Sequence, residues 1–113
     1  MDKVTHHKAA VRKVVEEIAQ MSPSDQYVET QLMTDDEHGH YVLFSVGWEN
    51  KHREYTSFVH IDVKPDGKVW IQHDGTDLKI ALLLVEAGIP KNEIVLGFQA
   101  PYRRQWIPEF AVE

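Results

Sequence analysis

Between residues 27 and 73, four successive stretches alternate side chains with period two, separated by three short polar interruptions. That pattern commits the middle of the chain to strands joined by tight turns. Tyr27 to Thr34 alternates loosely. Tyr41 to Trp48 sets Val42, Phe44, Val46 and Trp48 on one face and Tyr41, Leu43, Ser45 and Gly47 on the other. From Glu54 to Lys64, Tyr55, Ser57, Val59, Ile61 and Val63 share a mostly apolar face opposite Thr56, Phe58, His60 and Asp62, and Lys68 to His73 completes the set. The interruptions read as turns. Asp35-Asp36-Glu37-His38-Gly39 ends on a residue free to take positive φ, Asn50-Lys51-His52 is polar, and Pro65-Asp66-Gly67 combines a preset φ with a left-handed position. Four strands with such short links predict an antiparallel meander.

Helical patterns flank this core. From Asp2 to Met21, Val4, Val11, Val14, Val15, Ile18 and Met21 recur at spacings of three and four among charged residues, which predicts an amphipathic helix ended by Ser22-Pro23-Ser24-Asp25. Asp74-Gly75-Thr76-Asp77 predicts a second helix from Leu78 to Ala87 with Thr76 as its N-cap, closed by Gly88-Ile89-Pro90. That helix is apolar on nearly every side, so one face packs on the sheet and the rest needs another cover. Glu93 to Phe98 reads as a short strand, and Ala100 to Glu113 as an irregular tail. With no linker, repeat or low-complexity tract, the expectation is one α+β domain over residues 1–113. Its antiparallel sheet has four to five strands, with the N-terminal helix and the second, apolar helix packed on it.

Composition narrows the functional classes. The 113 residues carry 12 Lys+Arg against 18 Asp+Glu, a formal charge of −6, which argues against coating nucleic acid by charge alone. There is no cysteine, so thiolate catalysis, disulfides and thiolate metal sites are out, and a cytoplasmic setting is expected. The first residues hold no apolar run, so no signal peptide is expected, and no stretch is long enough to predict a membrane span. Seven histidines would carry the formal charge from −6 to about +1 if all protonated near their reference value.

Several groups invite a chemical reading. His38 and His40, beside Asp35, Asp36 and Glu37, offer nitrogen and oxygen donors for a divalent metal, set against a solvated hairpin loop. His60 and Asp62 share a strand face as a base and an orienting carboxylate would in a small hydrolase, but their side chains start roughly 7 Å apart along the strand, and a hydrogen-bonded structural pair is the plainer reading. His6-His7 lies in the first helical turn and reads as terminal and exposed. Tyr102-Arg103-Arg104-Gln105-Trp106 interleaves cations with aromatics, so Arg103 and Arg104, with Lys91, are the candidates for nucleic-acid contact; Arg stacked on an aromatic ring in an ordered tail is the alternative. Leu78, Leu82 and Val85 on the second helix, with Trp48 and Trp70 in strands, are the candidate interface residues. No catalytic set, cofactor site or resident metal is expected.

The order of segments carries a resemblance. Val28-Glu29-Thr30-Gln31-Leu32, His40-Tyr41, Val46-Gly47-Trp48, His60-Ile61-Asp62, Gly67-Lys68-Val69-Trp70-Ile71-Gln72, Gly88-Ile89-Pro90-Lys91 and Ile94-Val95-Leu96-Gly97-Phe98 stand in the order of the XisI family, the cyanobacterial fdxN-element excision controlling factor, and the likeness runs on through Pro101-Tyr102-Arg103-Arg104 to Phe110-Ala111-Val112. The resemblance implies a small α+β accessory protein without established catalytic residues. It would act with a nuclease-like companion, XisH, in developmental excision of a DNA element by a separate recombinase. The function expected is therefore non-enzymatic control through protein contacts, as a homo-oligomer or with XisH. A direct DNA-binding component, or a hydrolase using His60 and Asp62, are the alternatives.

Overall fold

The computed structural model describes residues 2–22 and 24–113. Helix α1 spans Lys3–Met21; Asp2 caps it, its carboxylate accepting the Thr5 amide at 2.8 Å. Of the apolar stripe predicted from spacing, Val11, Val14, Val15 and Ile18 lie in the core and Val4 packs at its margin, whereas Met21 at the helix end is 59% exposed. The helix ends at Ser22, whose hydroxyl and amide both turn back on the Ile18 carbonyl. Pro23, the expected helix breaker, lies outside the described residues.

The meander follows as β1 (Val28–Asp35), β2 (His40–Glu49), β3 (His52–Val63) and β4 (Val69–Asp74), each antiparallel to the one before. The turns are where the glycines and polar residues put them. At Gly39 φ is +76°, and an added Cβ would run into the Val63 carbonyl, so only glycine fits both the turn and the close approach. The fifth strand, β5 (Ile94–Leu96), is shorter than the sequence suggests and runs parallel to β4, because the chain crosses back over the sheet before pairing. Order in the sheet is β1-β2-β3-β4-β5, which leaves β1 as an edge.

Two β-bulges break the register. Leu43 pairs with Val59 but Phe44 with Ser57, so Phe58 is left over on β3; His60 pairs with His73 but Ile61 with Ile71, so Gln72 is left over on β4. An extra residue flips the faces beyond it. The predicted apolar face of β3 is therefore split. Val59, Ile61 and Val63 are buried under α1, whereas Tyr55 is 61% exposed on the opposite side.

The second helix, α2, covers only Ile80–Glu86. Thr76 is not its N-cap. The Asp74 carboxylate takes the Thr76 amide and hydroxyl at 3.0 and 2.7 Å and reaches the Ile80 amide at 3.3 Å, which holds residues 75–79 as a loop with Lys79 left-handed at φ 54°. Its C-terminus closes as expected: the Gly88 amide bonds the Val85 carbonyl and the Ile89 amide the Leu84 carbonyl, with Ile89 buried beneath. Ile80 and Leu84 join Tyr41, Leu43, Ile61, Ile71 and Ile94 in a core that lies on one side of the sheet.

The tail is more ordered than its composition suggests. A turn of helix, α3 (Pro101–Arg104), is followed by a return to the sheet, where Ala111 bridges Val95. His7 corrects the expectation of exposure. It is 3% exposed, its Nδ1 bonds the Gly67 carbonyl at 2.7 Å and its Nε2 sits 3.2 Å from a Glu93 carboxylate oxygen, because the first turn of α1 packs beside the β3–β4 turn. No helix among the described residues is long and apolar enough to cross a membrane.

Candidate functional site

With both long-range helical contacts on one side, the other side of β1–β3 faces outward. Val42, Phe44, Val46 and Trp48 alternate along β2 on this side, away from the buried Tyr41 and Leu43. Met33 stands opposite Val42, Tyr55 opposite Val46, and Arg53 opposite Trp48. The Phe44 and Tyr55 rings lie 5.3 Å apart, and the Arg53 guanidinium is 5.5 Å from the Trp48 and Tyr55 ring centres. Met33 is 43% and Trp48 54% exposed. A solvated sheet face is ordinarily polar, so this apolar row is a candidate contact surface.

At the hairpin end of the same face the two bulges assemble a compact polar cluster. Without Phe58 as an extra residue His40 would face Ile61; with it, His40 pairs with Asp62. His40 Nδ1 donates to Asp62 Oδ1 at 2.7 Å, and His60 Nε2 donates to the same oxygen at 2.9 Å. Gln72, the leftover residue of β4, donates its amide to Asp62 Oδ2 at 3.2 Å. Asp62 is 5% exposed. Burial pushes its carboxyl up, but the His40 hydrogen bond, the His60 charge and the Gln72 bond outweigh that and hold it below the usual aspartate range. The separation expected between His60 and Asp62 is thus closed by the reach of the imidazole along the strand.

The remaining candidates fall apart or apart from one another. His38 turns to Asp35 at 2.8 Å rather than toward His40, so the loop donors do not converge. Leu78 and Leu82 are 41% and 45% exposed and Val85 is half-buried, on the helical side of the sheet and away from Trp48. Trp70 is half-buried beneath the Arg104 guanidinium, 5.1 Å from its ring centre. Arg104 also donates to the Gln99 and Val112 carbonyls at 3.1 and 3.0 Å, which makes it a tail clamp. Lys91 pairs with Glu109 at 3.3 Å. Arg103 is exposed and, with Gln99, Tyr102, Trp106 and Ile107, lines a cleft of 340 Å³. What sequence reasoning missed is the role of His40 and Gln72 around Asp62; the signal lay in register, which side-chain periodicity does not carry.

A family model described as XisI protein matches residues 1–112. Among solved structures, the chain is 41% identical to a XisI-like protein from Anabaena variabilis, with 97% of this chain and 99% of that one covered and a TM-score of 0.91. It is 31% identical to the fdxN element excision controlling factor XisI from Anabaena variabilis, with 99% and 100% covered and a TM-score of 0.87. No curated protein matches.

Proposed function

Because the chain belongs to the XisI family, we propose that it is a non-enzymatic accessory factor in the control of DNA element excision, working by docking on other protein surfaces. The observation that carries this reading is the outward sheet face, where the exposed Met33, Trp48 and Tyr55 flank the half-buried Val42, Phe44 and Val46 in one apolar row. Burying such a strip on a partner is favourable at about 25 cal/mol per Å² of apolar surface, and exposed aromatics beside an arginine are the residue types that dominate protein interfaces. The occupant is a second copy of the chain or a XisH-like companion. Direct DNA contact ranks behind it: Arg104 and Lys91 are taken up within the chain, and a net charge of −6 opposes a polyanion.

The test is co-expression with a XisH-like protein, followed by size-exclusion chromatography with light scattering. A dimer mass for the chain alone, or a stoichiometric complex with the companion, supports docking. A monomer at micromolar concentration that fails to co-purify removes it, and a salt-dependent shift of element-border DNA would put the DNA reading in its place.

A further inference from the structure

We propose that His40, His60 and Asp62 form a binding site for a divalent transition cation of the zinc type. The three donors come from two strands brought together by the Phe58 bulge, and their ligating atoms all lie within 4.8 Å of one another. Tetrahedral zinc with bonds of about 2.0–2.2 Å holds its donors about 3.3 Å apart. The two contacts to Asp62 Oδ1, at 2.7 and 2.9 Å, open by about half an ångström to reach that spacing, and the two ring nitrogens, within 4.8 Å of each other, close by up to about 1.5 Å through rotation of the partly exposed rings. One dication would take the place of the two N–H groups that now converge on that oxygen, each imidazole binding as the neutral tautomer that carries its proton on the other ring nitrogen.

The donor types select the metal class. Two imidazoles and one carboxylate suit zinc, nickel or copper, whereas calcium and magnesium take oxygen ligands. Asp62 is buried and positioned, since the Gln72 amide occupies Oδ2 and leaves Oδ1 for the cation; such an outer partner typically changes metal affinity 10- to 100-fold. The His40 and His60 side chains are 52% and 37% exposed, which gives the ion a way in and leaves the remaining position to water. Asp35, opposite His40 on β1, is turned to the His38 ring and amide. The inference does not depend on docking, because the ligands belong to one chain.

The experiment uses the untagged full chain, stripped with a chelator and titrated with zinc by calorimetry. One zinc per chain is expected, with micromolar binding lost in His40→Ala and His60→Ala, weakened about 10-fold in Gln72→Ala and unchanged in His38→Ala. Circular dichroism checks that each variant folds. On the wild-type chain, histidine ring NMR signals provide a readout that needs no variant: His40 and His60 should shift with zinc while His7 and His52 do not. No zinc uptake at micromolar concentration, or uptake that survives both His40→Ala and His60→Ala, overturns the site.

Discussion

Trp48→Ala separates folding from the proposed docking because the ring divides into a buried and an exposed part of similar size. Trp48 is 54% exposed, so rather less than half of a side chain of about 150–250 Å² is buried within the chain. At about 25 cal/mol per Å², roughly 100 Å² contributes an upper value of about 2.5 kcal/mol to folding, reduced to about 2 by residual burial in the denatured ensemble. The cation–π contact with Arg53 is already part of the exposed strip and adds about 0.5 kcal/mol. The outward half of the ring is a similar area, which folding leaves unused. If it is covered by a partner, its loss weakens association by about 2.5 kcal/mol, or roughly 60-fold in Kd, per copy of the site. Urea unfolding of the isolated chain reads the first effect; sedimentation equilibrium across a dilution series, alone and with the companion, reads the second. A stability loss of about 2 kcal/mol with unchanged association would refute the assignment of the sheet face as the docking surface.

Three other outcomes follow from the geometry. Leu84→Ala empties a fully buried position under the sheet and should cost about 2–5 kcal/mol in urea unfolding, whereas Leu82→Ala, 45% exposed, should cost under about 1 kcal/mol; equal losses would contradict the packing of α2. Arg104→Ala removes two carbonyl hydrogen bonds and the cover of Trp70, so amide exchange over residues 106–113 should accelerate about 10-fold or more, from about 1–2 kcal/mol of lost local stability, while Arg103→Ala leaves it unchanged. Asp62 has a folded-state pKa below the unfolded value. Its contribution to stability is therefore present above about pH 3.9 and lost as pH falls through the folded value. In chelator, the stability gap between wild type and Asp62→Ala should shrink as pH falls below that value; a gap that widens there would reverse the sign.

What could be read from the chain tracks how local each decision is. The Gly39 and Gly67 turns, the buried stripe of α1 and the Gly88 helix end are set by φ preferences and spacings within a few residues, and the structure has them where the sequence puts them. Faces were harder. Both faces of β2 are apolar, and periodicity does not say that Tyr41 and Leu43 go under α1 while Val42, Phe44 and Val46 stay outside. The parallel pairing of β5 and the capture of Thr76 and Ile80 by Asp74 depend on where the chain returns in space. The polar cluster is the clearest case: each half was visible, His40 in one group and His60 with Asp62 in another. Joining them needed the leftover residues Phe58 and Gln72, which alternation alone does not reveal.

The surplus residue at Phe58 is what lets one strand turn Tyr55 and Ser57 outward and Val59, Ile61 and Val63 inward. Losing one residue here would close the bulge and keep Val59 opposite Leu43, whereas gaining one has to be taken up by a wider bulge or it turns His60 and Asp62 toward the helix and Val59 and Ile61 toward water. Substitutions here are therefore more tolerable than insertions. Relatives that share this architecture should lack at most the one bulged residue between 52 and 63 and gain none there. Length variation belongs instead in the Asp35–Gly39 and Lys64–Lys68 connections, where an added residue changes a loop and leaves the parity of the strands intact.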